Sequence, residues 1–220
     1  MVITQNKPAP VSKKILEKLR LKKEKIMLKE EIFQIIKEYQ KIYRRKVNLI
    51  SLWTYLRKNN YLRRLLGDYY YIYSVEERYH HYCQFSEEEL VFQVLDKMKI
   101  SWYLGLERAL IENKISWQVL NIIPIINSRF SGLKKLGNSR FKFIKTTEKK
   151  LTFGLIGTKT NNQVHYFYSD PEKTHLDFLH FSSYGGKDPE TIKKHLDFKI
   201  NKIILRKYAR KYTHKIQERA

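Results

Sequence analysis

Between Glu38 and Asp68 the chain carries no acidic residue, yet Lys41, Arg44, Arg45, Lys46, Arg57, Lys58, Arg63 and Arg64 all fall there. Charge of one sign at this density cannot be folded inward, so it must face water or an anionic partner. Inside the stretch, Leu49, Leu52, Trp53 and Leu56 recur at i, i+3, i+4 and i+7, the spacing of one apolar helix face. Asn48 stands where an N-cap belongs. The opposite face is expected to show Ser51, Thr54, Tyr55, Arg57 and Lys58. A hairpin is expected from Leu62 to Ile72, turning at Gly67-Asp68 between a basic strand and a tyrosine-rich one. A helix with one apolar face followed by a basic hairpin is the pattern of a winged helix-turn-helix on double-stranded DNA. In that reading Arg44, Arg45, Lys46, Arg57, Lys58, Arg63 and Arg64 contact phosphates, while Asn48, Ser51, Thr54 and Tyr55 reach base edges.

Composition supports an anionic partner and a folded chain. The 220 residues carry a formal net charge of +22, and 42% are hydrophobic, which excludes wholesale disorder. No apolar run reaches 18 residues, so no transmembrane helix is expected. Met1 to Pro8 lacks the apolar stretch of a secretory signal. A single cysteine, Cys83, forms no internal disulfide and suits a reducing, cytoplasmic setting.

The patterning predicts an α+β protein: an N-terminal winged helix-turn-helix, then a mixed α+β domain with a small central sheet and C-terminal helices. Residues 1–27 read as a basic lead-in, 28–78 as the DNA-binding domain and 79–220 as the second domain. Within the lead-in, Ser12 caps a basic helix with a thin apolar stripe of Ile15, Leu16, Leu19 and Ile26. A helix over Lys29 to Gln40 follows from Ile32, Phe33, Ile36 and Tyr39. Ser74 to Phe85 reads as the junction, and Ser86 with Glu89 as a capping box opening the next helix. A helix is then expected over Leu104 to Lys114. Extended segments follow over Asn121 to Asn127, Phe141 to Lys145, Leu151 to Ile156 and Val164 to Tyr168. Asp170-Pro171-Glu172 and Asp188-Pro189-Glu190 are two helix starts of the same form. The last helix should run from Lys199 to Gln217 with Ile204, Tyr208, Tyr212 and Ile216 on one stripe and Lys207, Lys211 and Lys215 beside it.

Catalytic signals are thin. His80, His81 and Cys83 are too close in sequence, and lack a second ligand pair, to specify a metal site. His175 and His180, five apart, do not share a helix face. Asp170, Glu172, Lys173 and Asp177 have the residue types of a metal-dependent nuclease, but helix capping explains Asp170, Pro171 and Glu172 without catalysis. The chain has no glycine-rich phosphate loop and no nucleophile elbow. The expectation is therefore a non-enzymatic chain without cofactor or metal. The alternatives are an RNA- or ribosome-associated basic protein and a nuclease.

Three stretches together resemble one family, the AbiEi-type antitoxins. Tyr61-Leu62-Arg63-Arg64-Leu65-Leu66-Gly67-Asp68-Tyr69-Tyr70-Tyr71-Ile72 is similar to the family's wing. Trp102-Tyr103-Leu104-Gly105-Leu106-Glu107-Arg108-Ala109-Leu110 is similar to its Tyr-Tyr-aliphatic-Gly-Leu segment ending in Ala-Leu. Ser169-Asp170-Pro171-Glu172-Lys173-Thr174-His175-Leu176-Asp177-Phe178-Leu179 is similar to its Ser-x-Pro-Glu-Lys-x-x-x-Asp helix start. The sequence departs from the family in its longer basic lead-in and at Asn113, where His-Gly is frequent. The resemblance implies a regulator from an abortive-infection toxin–antitoxin pair used in phage defence. Its winged helix would repress its own promoter. Its second domain would counteract a nucleotidyltransferase toxin, without necessarily binding it.

Overall fold

The computed structural model describes residues 10–22, 24–43, 48–185 and 197–217. The chain is mixed α+β and divides into two units, Met1–Ser86 and Glu87–Ala220. The division falls eight residues later than the sequence reading places it, because residues 79–86 belong to the first unit.

The first unit runs α1 (Pro10–Arg20), β1 (Ile26–Leu28), α2 (Lys29–Tyr43), α3 (Leu49–Lys58), β2 (Leu62–Arg64), β3 (Tyr69–Ile72) and α4 (Val75–Tyr79). Its three-stranded antiparallel sheet has the order β1-β3-β2. β3, Tyr69-Tyr70-Tyr71-Ile72, is the central strand and is buried throughout, which is why it lacks polar alternation. The lead-in is not a solvated appendage. Ile15, Leu16 and Leu19 of α1 are buried in the same core as Ile32, Ile35, Ile36, Leu52, Leu56, Leu62 and Ile72, so its thin apolar stripe is what attaches it. The junction also contains structure. Ser74 and Glu77 form the reciprocal capping box of α4, and the buried Glu77 accepts from the Tyr71 hydroxyl at 2.5 Å and from the Gln84 amide at 2.9 Å.

The second unit comprises α5 (Glu87–Lys97), β4 (Trp102–Leu104), α6 (Leu106–Glu112), β5 (Ile123–Asn127), β6 (Gly132–Leu136), β7 (Ser139–Lys145), β8 (Leu155–Lys159), β9 (His165–Ser169), α7 (Pro171–Gly185), α8 (Lys202–Ala209) and α9 (His214–Gln217). Its sheet is six-stranded, in the order β6-β7-β5-β4-β9-β8, larger than the small sheet expected. β4 pairs with β9 and β5 with β7 in parallel, and the other neighbours are antiparallel. The two strands that patterning does not reveal explain the difference. β4 has three residues and shows no period, and β6 is an edge strand whose Leu133, Lys134 and Lys135 stay exposed. Gly105 joins β4 to α6 where a side chain would collide with Ile126, since a Cβ there would lie 2.4 Å from its Cδ1. The expected long terminal helix is instead two, because the chain turns at residues 210–213 and carries Tyr212 inward. The second Asp-Pro-Glu start, Asp188 to Glu190, lies outside the described residues.

Candidate nucleic-acid interface and a buried polar cluster

On α3, Leu52 and Leu56 are buried and Leu49 and Trp53 pack beside them, leaving Ile50, Ser51, Thr54, Arg57 and Lys58 exposed. These five fall at i, i+1, i+4, i+7 and i+8, a single stripe. The Asn48 side-chain oxygen accepts from the Ile50 and Ser51 amides at 3.0 and 3.1 Å, so it serves as the N-cap of that stripe. Trp53 is held edge-on between Phe33 and Tyr70, at centroid distances of 5.0 and 4.8 Å, which fixes the rotation of α3 about its axis.

Tyr55 is not on the exposed stripe. It is half-buried and stacks on Tyr61 at 5.8 Å, and burial followed by its bond with Tyr61 pushes its hydroxyl up to about 12. Arg78 lies over the Tyr61 ring, its guanidinium carbon 3.6 Å from the ring centre. The hairpin arginines separate as well. Arg64 is tied to its own turn through Gly67 O at 3.0 Å and Asp68 at 3.5 Å. Arg63 is half-buried against Tyr73. The hairpin tip holds the buried Leu65 and Leu66, so it is short and packed. Arg44, Arg45 and Lys46 lie outside the described residues. The structure therefore groups Ser51, Thr54, Arg57 and Lys58 and adds Ile50, an exposed apolar residue that a search for hydrogen-bonding groups passes over.

In the second unit, the third family-like stretch builds a buried polar cluster at the start of α7. Asp170 caps the helix through the Lys173 amide at 2.7 Å and accepts from the Tyr208 hydroxyl at 3.0 Å. Gly154, at φ +59°, leaves the room this needs, since a Cβ there would lie 3.1 Å from the Asp170 carboxylate and 2.9 Å from Lys173 Cβ. Lys173 and Asp177 have no exposed surface. The Asp177 carboxylate accepts from Tyr103 at 2.7 Å and Tyr212 at 2.6 Å, with Lys173 Nζ 3.6 Å away. Lys173 also donates to the Lys150 carbonyl at 2.7 Å and lies 4.3 Å from the Phe153 ring centre. Burial lowers its pKa, against the pull of Asp177 and Asp170. Burial, then Asp177, pushes the Tyr103 and Tyr212 hydroxyls well up. Lys150 Nζ donates to His180 Nε2 at 2.6 Å, and burial with the Lys150 and Lys173 charges pulls His180 down to about 4.

This placement bears on the chemistry. Glu172, the remaining member of the nuclease-like set, accepts from the Asn201 amide at 2.7 Å. Its side chain thus braces α8, while Lys173 and Asp177 are sealed from any phosphodiester. His80 and His81 are exposed and Cys83 is half-buried, its thiol pushed up chiefly by burial. Among the described residues no three His, Cys, Asp or Glu side chains are grouped to hold a metal ion, and no helix is long and apolar enough to cross a membrane. Asn113 donates to Ala109 O and Ser169 O at 2.7 and 2.8 Å, tying the end of α6 to β9. No protein-family model matches the chain, and no curated protein is significantly similar to it.

Proposed function

We propose that this chain is a cytoplasmic, non-enzymatic, DNA-binding autorepressor and antitoxin of the AbiEi type, acting on its own promoter and counteracting a nucleotidyltransferase toxin. The observation that carries the DNA reading is the exposed stripe of α3. It combines two hydroxyls, an apolar side chain and two cations on a helix whose other face is fixed in a core. Supporting it, the first unit has the element order of a winged helix-turn-helix: a strand between the first two helices, a third helix, then a hairpin whose second strand lies in the middle of the sheet. Ser51 and Thr54 can donate to or accept from base edges, and Arg57 and Lys58 suit phosphates. The antitoxin part rests on the three family-like stretches. The last two pack together in the structure, with the Tyr103 hydroxyl donating to Asp177, as parts of one architecture would.

Two experiments test the halves separately. Duplex DNA from upstream of the gene should bind with a log K that falls linearly with log salt. Arg57→Gln with Lys58→Gln should reduce the slope by about 0.9 for each phosphate no longer neutralised. Affinity indifferent to salt would remove the DNA reading. Co-expression with a nucleotidyltransferase encoded beside the gene should restore growth, and failure to do so would remove the antitoxin reading.

A further inference from the structure

A second acid-free stretch lies in the other unit. From residue 113 to 147 there is no Asp or Glu, while Lys114, Arg129, Lys134, Lys135, Arg140, Lys142 and Lys145 all occur. Most of these cations sit on or beside the β6–β7 hairpin at one edge of the six-stranded sheet. Lys135 pairs with Arg140, and Leu133 with Lys142, so these four side chains share one sheet face. The alternate residues Phe141 and Phe143 are buried on the opposite face, which fixes the direction of Lys135, Arg140 and Lys142, while Lys134 and Lys145 fall on the phenylalanine side. Lys134, Lys135, Arg140, Lys142 and Lys145 are exposed. Among the described residues none of these five, nor Arg129, is in an ion pair.

Lysines on an edge strand can serve only to prevent edge-to-edge aggregation. That role does not extend to Arg140 and Lys142, because β7 is an interior strand hydrogen-bonded on both sides. Nor is it usual for a solvated sheet face to exclude every acidic residue, since surfaces ordinarily mix the two signs. We propose that the β6–β7 ribbon binds the backbone of single-stranded nucleic acid, independently of the α3 surface. Arg140 and Lys142 are two residues apart on one strand, about 6.8 Å, a repeat suited to successive phosphates of an extended chain. Adjacent strands lie only about 4.8 Å apart, so the two rows serve one backbone and do not bridge the roughly 12 Å major groove of a duplex. Leu133, 58% exposed among the cations, offers the face of an unstacked base an apolar surface.

The test measures full-length protein binding to fluorescein-labelled oligo(dT), to its duplex with oligo(dA), and to heparin. The expected result is salt-dependent oligo(dT) binding that weakens roughly tenfold in Lys135→Gln/Arg140→Gln/Lys142→Gln, with the log K–log salt slope reduced by about 2, the single-strand value for three phosphates. Circular dichroism confirms folding, and the single exchange Lys142→Glu serves if the triple variant aggregates. Arg57→Gln/Lys58→Gln should leave oligo(dT) binding intact. Oligo(dT) affinity unchanged in both ribbon variants, or abolished through the α3 variant instead, overturns the proposal. Equal weakening for heparin and duplex reduces the ribbon to a general polyanion surface and overturns it too. Absence of duplex binding at α3 would sink the promoter reading and leave the ribbon standing.

Discussion

Replacing Asp177 with alanine isolates what the buried cluster contributes. Its carboxylate accepts two tyrosine hydroxyls and neutralises Lys173, and all of these groups except the backbone-bonded ammonium would lose their acceptor together. Stranding a buried cation costs about 3–5 kcal/mol. Two unsatisfied buried hydroxyls would add about 1–3 kcal/mol each if they could not re-pair. The terms overlap, since the Lys173 ammonium still donates to the Lys150 carbonyl at 2.7 Å and to the Tyr212 hydroxyl oxygen at 3.3 Å, so about 4 kcal/mol is expected. For a urea dependence of about 2 kcal/mol per molar, the midpoint of the second unit falls by roughly 2 M. Removing both charges, as in Lys173→Met/Asp177→Leu, leaves no stranded ion and should be much milder than Asp177→Ala alone. Urea melts followed by circular dichroism, with amide exchange in β4 and α7 to locate the effect, provide the readout. If Asp177→Ala lies within about 1 kcal/mol of wild type, or the double variant is worse than the single, the cluster does not hold the second unit together in this way.

Other expectations follow from the same geometry. His180 is held neutral with its pKa near 4, below the unfolded value near 6.5, so the unfolded chain binds the extra proton between those pH values. Stability of the second unit should therefore fall as pH drops from about 6.5 to 4, by up to about 3 kcal/mol, and His180→Phe should flatten that part of a pH–stability curve. Ser74→Ala should cost the first unit about 0.5–2 kcal/mol in a thermal melt, because it removes the Glu77 amide's partner in the capping box. Asp170→Ala should cost a similar amount by removing a cap, and metal-dependent hydrolysis of DNA or RNA that disappears in this variant would restore the nuclease alternative.

Much of the first unit is legible in the sequence because local rules and tertiary context agree there. Asn48 caps α3, Leu52 and Leu56 are buried, and the hairpin pairs about Gly67-Asp68. Tyr55 departs from its expected place because helical periodicity cannot foresee a tyrosine partner arriving from beside β2, here Tyr61. The α4 capping box escapes a reading by pattern, although Ser74-Val75-Glu76-Glu77 has its form, since no apolar repeat follows it. α1 reads as a basic helix with only a thin apolar stripe, yet Ile15, Leu16 and Leu19 of that stripe reach the core. In the second unit, Asp170 is legible as a cap. The rest of the cluster joins residues far apart in sequence, Tyr103, Asp177 and Tyr212, which periodicity does not connect. The basic β6–β7 ribbon carries the same acid-free signature as the α3 region, but only the strand register puts Lys135 beside Arg140.

The central claim is that the exposed stripe of α3 reads the chain's own promoter, and footprinting on the upstream DNA with wild type, Ser51→Ala and Thr54→Ala tests it most directly. Both side chains are exposed, so the variants should fold and keep their affinity for unrelated DNA. The expected result is a protected site whose preference over unrelated sequence shrinks by about 1–3 kcal/mol when a hydroxyl that reads a base is removed. A footprint with the same position and the same preference in both variants would contradict it.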